Sequence, residues 1–226
     1  MSFSKRVAQG LAPRVTQVAP TLTAGFVHQA LERAIRGAGP LDGAALAAEK
    51  QLDEQKGDVK KAIHELVENH VALAAAEGFV TNLGGLVTMT VTVPANITGL
   101  ALIQCRLVAG IVHLRGYDLE DKRTRTAILA SLIGEDRMLA LIKKKKLPGT
   151  PMALATAPVY DPQLSTVMAN EVASELISRV AGKKVASTVA RRIPLVGGLV
   201  GAGADGFATW QVGRYAGREF LPRNLR

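Results

Sequence analysis

The sequence predicts an all-α fold, a single compact multi-helix bundle with Gly-rich, apolar central helices, and three observations carry the prediction. Apolar side chains recur at three- and four-residue spacing, the period of a helix with one buried face. Hydrophobic residues make up 48% of the 226 but aromatic residues only 4%, and 22 glycines join them, so the interior is built from small side chains that let helices approach closely. The one stretch with strand-like alternation, "VTMTVTV" at 87–93, has no second strand to pair with, and an unpaired strand is costly to bury. A chain of this length hides roughly 70% of its unfolded surface, enough for one core. The division is an N-terminal arm over 1–21, interrupted by Pro13 and Pro20, and one helical domain over 22–226.

The elements follow in order. From Thr21 or Thr23 as cap, "AGFVHQALERAIRG" places Phe26, Val27, Ala30, Leu31, Ala34 and Ile35 on one stripe and stops at Gly37. "GAGPLDG" is a connection, and residues 43–77 hold more helix, interrupted around Gly57 and Asp58. From Gly78 to Cys105 no Asp, Glu, Lys or Arg occurs. At 28 residues this run is long enough to span a bilayer. Its Thr and Asn residues, Gln104 and Pro94 favour burial in the protein instead, and Arg106 just beyond would add about 2.5–3.5 kcal/mol at a membrane centre. Pro94 suits the first turn of a helix, which predicts a helix from about Pro94 to Arg115, ended by Gly116. Downstream, Asp118 is the expected N-cap of a helix whose buried stripe is Ile128, Leu129, Leu132 and Ile133, with Asp121 at its third position. Asp161 and Pro162 start another helix, and a Gly-rich helix follows a break at Pro194.

Several tempting motifs fail on geometry. "HELVENH" has Glu68 where a zinc motif needs its second His, and His64 and His70 lie about 240° apart around a helix. His70 shares the stripe of Ile63, Leu66 and Val67, which predicts a hydrogen-bonded core histidine. "GAGADG" fits a dinucleotide fingerprint, but too little chain follows Gly206 for the second strand and acidic ribose contact. Gly197 with Gly201, and Gly213 with Gly217, read better as small residues one turn apart that admit a neighbouring helix. The single Cys105 excludes an internal disulfide and reads as core filler. No metal site, cofactor or catalytic set is predicted.

A net charge of +9 points to an anionic partner. The clusters are Lys143, Lys144, Lys145 and Lys146; Lys183 and Lys184; Arg191 and Arg192; and Arg214, Arg218, Arg223 and Arg226. Beside uncharged apolar segments the first three suit contact with lipid headgroups or other anions, at about 1 kcal/mol for each basic residue. Nucleic acid is disfavoured by the few aromatics and by the lack of a helix-turn-helix or zinc pattern. Gln104, Arg106, His113, Asp118 and Asp205 are the expected buried polar network, with Arg106 expected to meet Asp205, Asp118 or Glu77.

Two segments, "GGLVTMTVTVPANITGLALIQCRLVAGIVHLRGYDLEDKRTRTAILASLIGED" (84–136) and "RRIPLVGGLVGAGADGFATWQVGRYAGREF" (191–220), resemble the EcsC family of bacterial proteins. The most specific part is the proline, Gln and Arg pattern followed by "HLRGYD"; where a Tyr often follows "HL" this chain has Arg115. The resemblance implies a compact, mainly helical bacterial protein with most of 40–220 in one domain. Because the family takes its name from an operon that also encodes an exporter of the ABC type, it is compatible with membrane-linked roles. It carries no catalytic residues over.

The leading expectation is a non-enzymatic peripheral membrane or lipid-binding protein, its basic clusters on an anionic membrane surface and its apolar centre holding acyl chains or another hydrophobic small molecule. An interaction partner of a membrane transporter or secretion apparatus is the alternative, and an enzyme acting on an apolar or lipid substrate a second one. With Gln9, Gly10, Pro13, Arg14 and Gln17 breaking any apolar leader, no signal peptide is expected. The expected place is the cytoplasm, with the inner membrane face accessible.

Overall fold

The computed structural model describes residues 24–39, 41–83, 89–190 and 194–223, without the side chains of Ala24, Ala38, 77–98 and 180–202. The predicted arm over 1–21 and the Thr21 and Thr23 caps lie outside the described residues. The helices are α1 (Ala24–Arg36), α2 (Ala44–Glu54), α3 (Val59–Leu83), α4 (Met89–Leu114), α5 (Lys122–Leu132), α6 (Glu135–Lys143), α7 (Pro151–Ala155), α8 (Pro162–Ala190) and α9 (Pro194–Glu219). A two-residue antiparallel ladder, β1 (Gly37–Ala38) with β2 (Leu41–Asp42), tightens the α1–α2 connection. Gly43 cannot carry a side chain, because a Cβ there would overlap the Ile35 carbonyl.

Local chemistry sets the helix ends. The α1 stripe is buried from Val27 to Ile35, with Phe26 packed against its edge. Gly57, at φ +82°, breaks the chain between α2 and α3, and Asp58 Oδ1 accepts from the Lys60 and Lys61 amides at 3.0 and 3.1 Å. Asp161 Oδ1 caps α8 by accepting from Gln163 and Leu164, and Pro162 is its first residue. Gly116, at φ +82°, follows α4 as predicted.

Two expectations need correction. The helix through Pro94 begins five residues earlier, at Met89, so position 94 lies past the first turn, where a proline has no N–H to offer the Thr90 carbonyl. The cap of α5 is Asp121, whose side chain accepts from the Arg123 amide at 2.8 Å, while Asp118 accepts from Glu120 in the preceding turn. The turn uses up Asp118, and the residue expected at the third helical position becomes the cap.

The described parts of the uncharged run belong to two helices, the end of α3 and the first two-thirds of α4. Among the described residues no helix is long and apolar enough to cross a membrane. From Leu100 onward α4 is the centre of the bundle. Leu100, Ala101, Cys105, Leu107, Val108, Ile111 and Val112 are all buried, against α1, α2, α3, α5, α8 and α9. Each large aliphatic side chain there contributes about 1.5–3 kcal/mol. Close approach needs small residues at the crossings: Gly110 faces Ala44 and Ala48 of α2 and Leu66 of α3. Gly213 of α9 is tighter, since a Cβ would stand 2.8 Å from Val67 and 3.0 Å from Leu107. The predicted role of Gly213 and Gly217 is therefore filled by α3. "GAGADG" lies inside α9, with no strand before it to form a phosphate loop.

His70 is a core histidine, 4% exposed. Its Nδ1–H donates to the Leu66 carbonyl at 2.7 Å, which leaves Nε2 bare in a buried setting. Burial, opposed by that hydrogen bond and assisted by the charge of Arg106, lowers its pKa to about 4.

Two predictions follow from the core. The unfolded chain takes a proton on His70 near the ordinary imidazole pKa of about 6.5, whereas the folded chain refuses it until about 4. Stability is then complete above pH 6.5 and falls as pH drops to 4, by a total of about 3 kcal/mol. Urea denaturation at pH 7 and pH 5 should show about 2 kcal/mol of this loss, and His70→Phe should flatten it. The second concerns glycine: Gly213→Val should lower stability by about 1–3 kcal/mol through overpacking. Gly203→Ala, with nothing within 4 Å of the added carbon, should raise it by up to about 1 kcal/mol.

Candidate functional site

The antiparallel α3/α9 pair forms a groove of about 590 Å³. Its geometry follows from the four-residue rows of a helix surface. On α3 the row Ile63, Val67, Val71 and Ala75 makes the floor, and the row Lys60, His64, Glu68 and Ala72 makes one rim. On α9, Gly213 and Gly217 leave the floor low, and Trp210, Arg214 and Arg218, again four apart, make the other rim. The register is set by Gly217 beside Ile63, Gly213 beside Val67 and Gly206 beside Val71 and Ala75.

Among the described side chains of α9, Phe207 and Trp210 are the large apolar ones that stand exposed. Phe207 is 58% and Trp210 44% exposed, and their rings stack with centroids 5.8 Å apart. The Arg214 guanidinium lies 5.6 Å from the centre of the Trp210 ring, within cation–π range. Trp210 is the single tryptophan of the chain.

Across that ridge a second cavity, of about 400 Å³, is bounded by the α5–α6 junction, α8 and α9. Trp210, Arg214 and Arg218 line both cavities. Here Arg218 pairs with Glu135 at 2.5 Å, Arg179 with Glu175 at 3.0 Å, and Arg137 with Glu171 at 2.8 Å. Arg179 Nη1 is buried with no hydrogen-bond partner among the described residues. The lining holds four arginines against Glu135, Asp136 and Glu175.

The sequence-predicted basic residues divide. Lys143, Lys144, Lys145 and Lys146 are all exposed at the end of α6, where the Lys145 and Lys146 amides donate to the Ile142 and Leu141 carbonyls. Lys145 holds φ +55°, a left-handed position where glycine is the usual occupant. Lys145 and Lys146 also line a surface hollow with the exposed Val167. The side chains of Lys183 and Lys184, and Arg191 and Arg192 altogether, lie outside the described residues.

The expected polar network is not one network. Gln104 and Asp205 are buried, and Gln104 Nε2 donates to Thr209 Oγ1 at 3.3 Å across α4 and α9. His113 instead pairs with Glu49 of α2 at 2.6 Å. Asp118 is exposed. Arg106 meets neither Asp118 nor Asp205, and the side chain of Glu77, its third expected partner, lies outside the described residues; among the described residues Asp42, itself bonded to Lys50 at 2.6 Å, feels its charge. Burial lowers the Arg106 pKa and Asp42 opposes that shift. The hairpin before α2 brings Asp42 there, which no local spacing along α4 signals.

Reactive groups are held quiet. Burial pushes the Cys105 thiol up to about 12, so no thiolate forms near neutral pH. Burial also raises Tyr215. Ser165, His28 and Glu32 line one cavity between α1 and α8, but they do not hydrogen-bond to one another, and Arg125 holds Glu32 at 3.0 Å. Among the described residues no cluster of His, Cys, Asp and Glu could hold a metal ion.

The family pattern "HLRGYD" has a structural task. Arg115 Nη2 donates to the Gly217 carbonyl at 3.1 Å, one of the four carbonyls that the end of α9 leaves unbonded. Tyr117 donates to the Leu221 carbonyl at 3.2 Å and meets Phe220 edge-on, while Arg223 lies over the Tyr117 ring. The two segments that carry the family pattern thus meet at the C-terminal end of α9. This chain belongs to the EcsC protein family. The family model matches residues 1–225, nearly the whole chain. No curated protein and no solved structure matches it. Within this EcsC chain, the Arg115 guanidinium joins the end of α4 to the end of α9. Sequence reading missed the Phe207–Trp210 rim and the Lys60 row, though the four-residue spacing of 210, 214 and 218 could have marked a ridge.

Arg115→Ala should cost about 1 kcal/mol by removing the α9 cap. Hydrogen exchange should then quicken at 217–223 while the amides of Leu107 to Val112 keep their protection.

Proposed function

We propose that the protein binds lipid at an anionic membrane surface, as a peripheral protein at the inner membrane face. The observation that carries this reading is the exposed Phe207–Trp210 stack with Arg214 upon it, at the rim of an apolar groove. Indole and phenyl rings with a neighbouring cation suit the headgroup zone, where apolar surface leaves water and the charge meets phosphate. The net charge of +9 and the exposed run Lys143–Lys146 support it, since each basic residue near an anionic bilayer adds about 1 kcal/mol. Lysine, not glycine, occupies the left-handed position 145, so the run keeps a charge at a conformational cost of about 1 kcal/mol.

Flotation with vesicles of phosphatidylcholine alone or mixed with phosphatidylglycerol tests this. The protein should float with the anionic vesicles at low salt and be released at about 1 M salt, where the screening length is about 3 Å. Phe207→Ala with Trp210→Ala, and separately Gln at all four lysines, should each weaken flotation more than tenfold. A protein that stays at the bottom of the gradient with anionic vesicles at low salt sinks the reading.

A further inference from the structure

We propose that the α3/α9 groove is an oriented site for one anionic single-chain amphiphile, its head at the Lys60–Arg214–Arg218 end and its chain running toward Val71 and Ala75. The inference rests on the lipid-binding reading above and names its ligand class and orientation. The antiparallel register sorts the rims by polarity. Lys60 and Arg218 stand at the end where Gly217 meets Ile63, while Ala72 and Ala75 stand at the end where Gly206 meets Val71. One end is cationic and the other apolar, as an amphiphile requires.

The charge balance selects an anion. His64 and Glu68 bind each other at 3.0 Å, and Arg218 is held by Glu135. Among the described residues Lys60 Nζ and the Arg214 guanidinium have no acidic partner, Arg214 resting instead on the Trp210 ring. A neutral chain would leave both cations unmatched at its flank; a phosphate or carboxylate head engages them, and guanidinium suits either geometrically. Arg214 also lines the neighbouring cavity, where the buried Arg179 Nη1 has no acceptor among the described residues.

The floor selects a hydrocarbon chain over a peptide. Both walls are unbroken helix, whose backbone groups are already bonded within each helix, so an extended peptide would find no backbone partners. The groove offers aliphatic side chains and glycine instead. Its 590 Å³ lies in the usual range of about 300–1,000 Å³ for small-molecule sites, and Lys60 to Ala75 spans about 22 Å of helix.

The test is isothermal titration calorimetry on the full chain with dodecyl phosphate below its micelle concentration, beside inorganic phosphate and dodecyl maltoside, with Trp210 emission followed in parallel. The expected result is one dodecyl phosphate per chain, bound at least tenfold tighter than either control, with a blue shift of emission. Arg214→Ala and Ala72→Phe should each weaken it at least tenfold with circular dichroism unchanged, and Arg214→Lys should keep most of the affinity. Phosphate alone binding as tightly, maltoside binding as tightly, or no saturable binding would each overturn the proposal. No bilayer is present in this titration. A protein that floats with anionic vesicles but fails it loses this inference alone, and one that passes it but does not float loses the membrane-surface reading.

Discussion

The whole arrangement depends on how closely α9 can lie against α3 and α4, and that distance is set at Gly213. No side chain longer than hydrogen fits there without moving Val67 and Leu107, so the backbone of α9 rests nearly on the side chains of its neighbours. Dispersion falls steeply with separation, so even a small retreat would forfeit contacts along both interfaces. At Gly206, Gly217 and Gly110 the fit is looser, since an added Cβ would stand at ordinary van der Waals distance from its neighbours.

Close packing of that kind leaves the polar groups little latitude. Gln104 and Thr209 meet each other in the seam between α4 and α9, and His70 turns one nitrogen to its own helix. The end of α9 is bound by Arg115 and Tyr117, which satisfy carbonyls that a terminal helix would otherwise give to water. Together the glycine contact and this clamp hold the C-terminal half of α9. The groove is a by-product of the same economy of side chains: where α9 lacks a Cβ it approaches α3, and the bulkier rows on either side stand as rims.

The rims explain why the surface chemistry is concentrated there. A ridge with four-residue spacing on α9 places one aromatic and two guanidinium groups in line, and the facing α3 row adds an ammonium group. The bonds to Glu135 and Trp210 constrain where those arginines lie, so their donors are already in place beside the apolar floor. The lone thiol is sealed in the core, and Ser165 and His28 share a cavity without a hydrogen bond between them.

Sequence alone determined the helical class, the α1 stripe, the break at Gly57, the Asp161 cap and the burial of Cys105 and His70. Each is decided within a few residues by periodicity, backbone freedom or a local hydrogen bond. It misplaced the start of α4 and the α5 cap, where neighbouring residues could serve equally well and only the folded turn chooses. Tertiary structure decided the rest. Arg115 meets Gly217 across 102 positions, His113 finds Glu49 across 64, and Asp42 reaches the field of Arg106 through a hairpin. Such partners are set by which helices cross and at what register, a result of packing the entire core that no local spacing encodes.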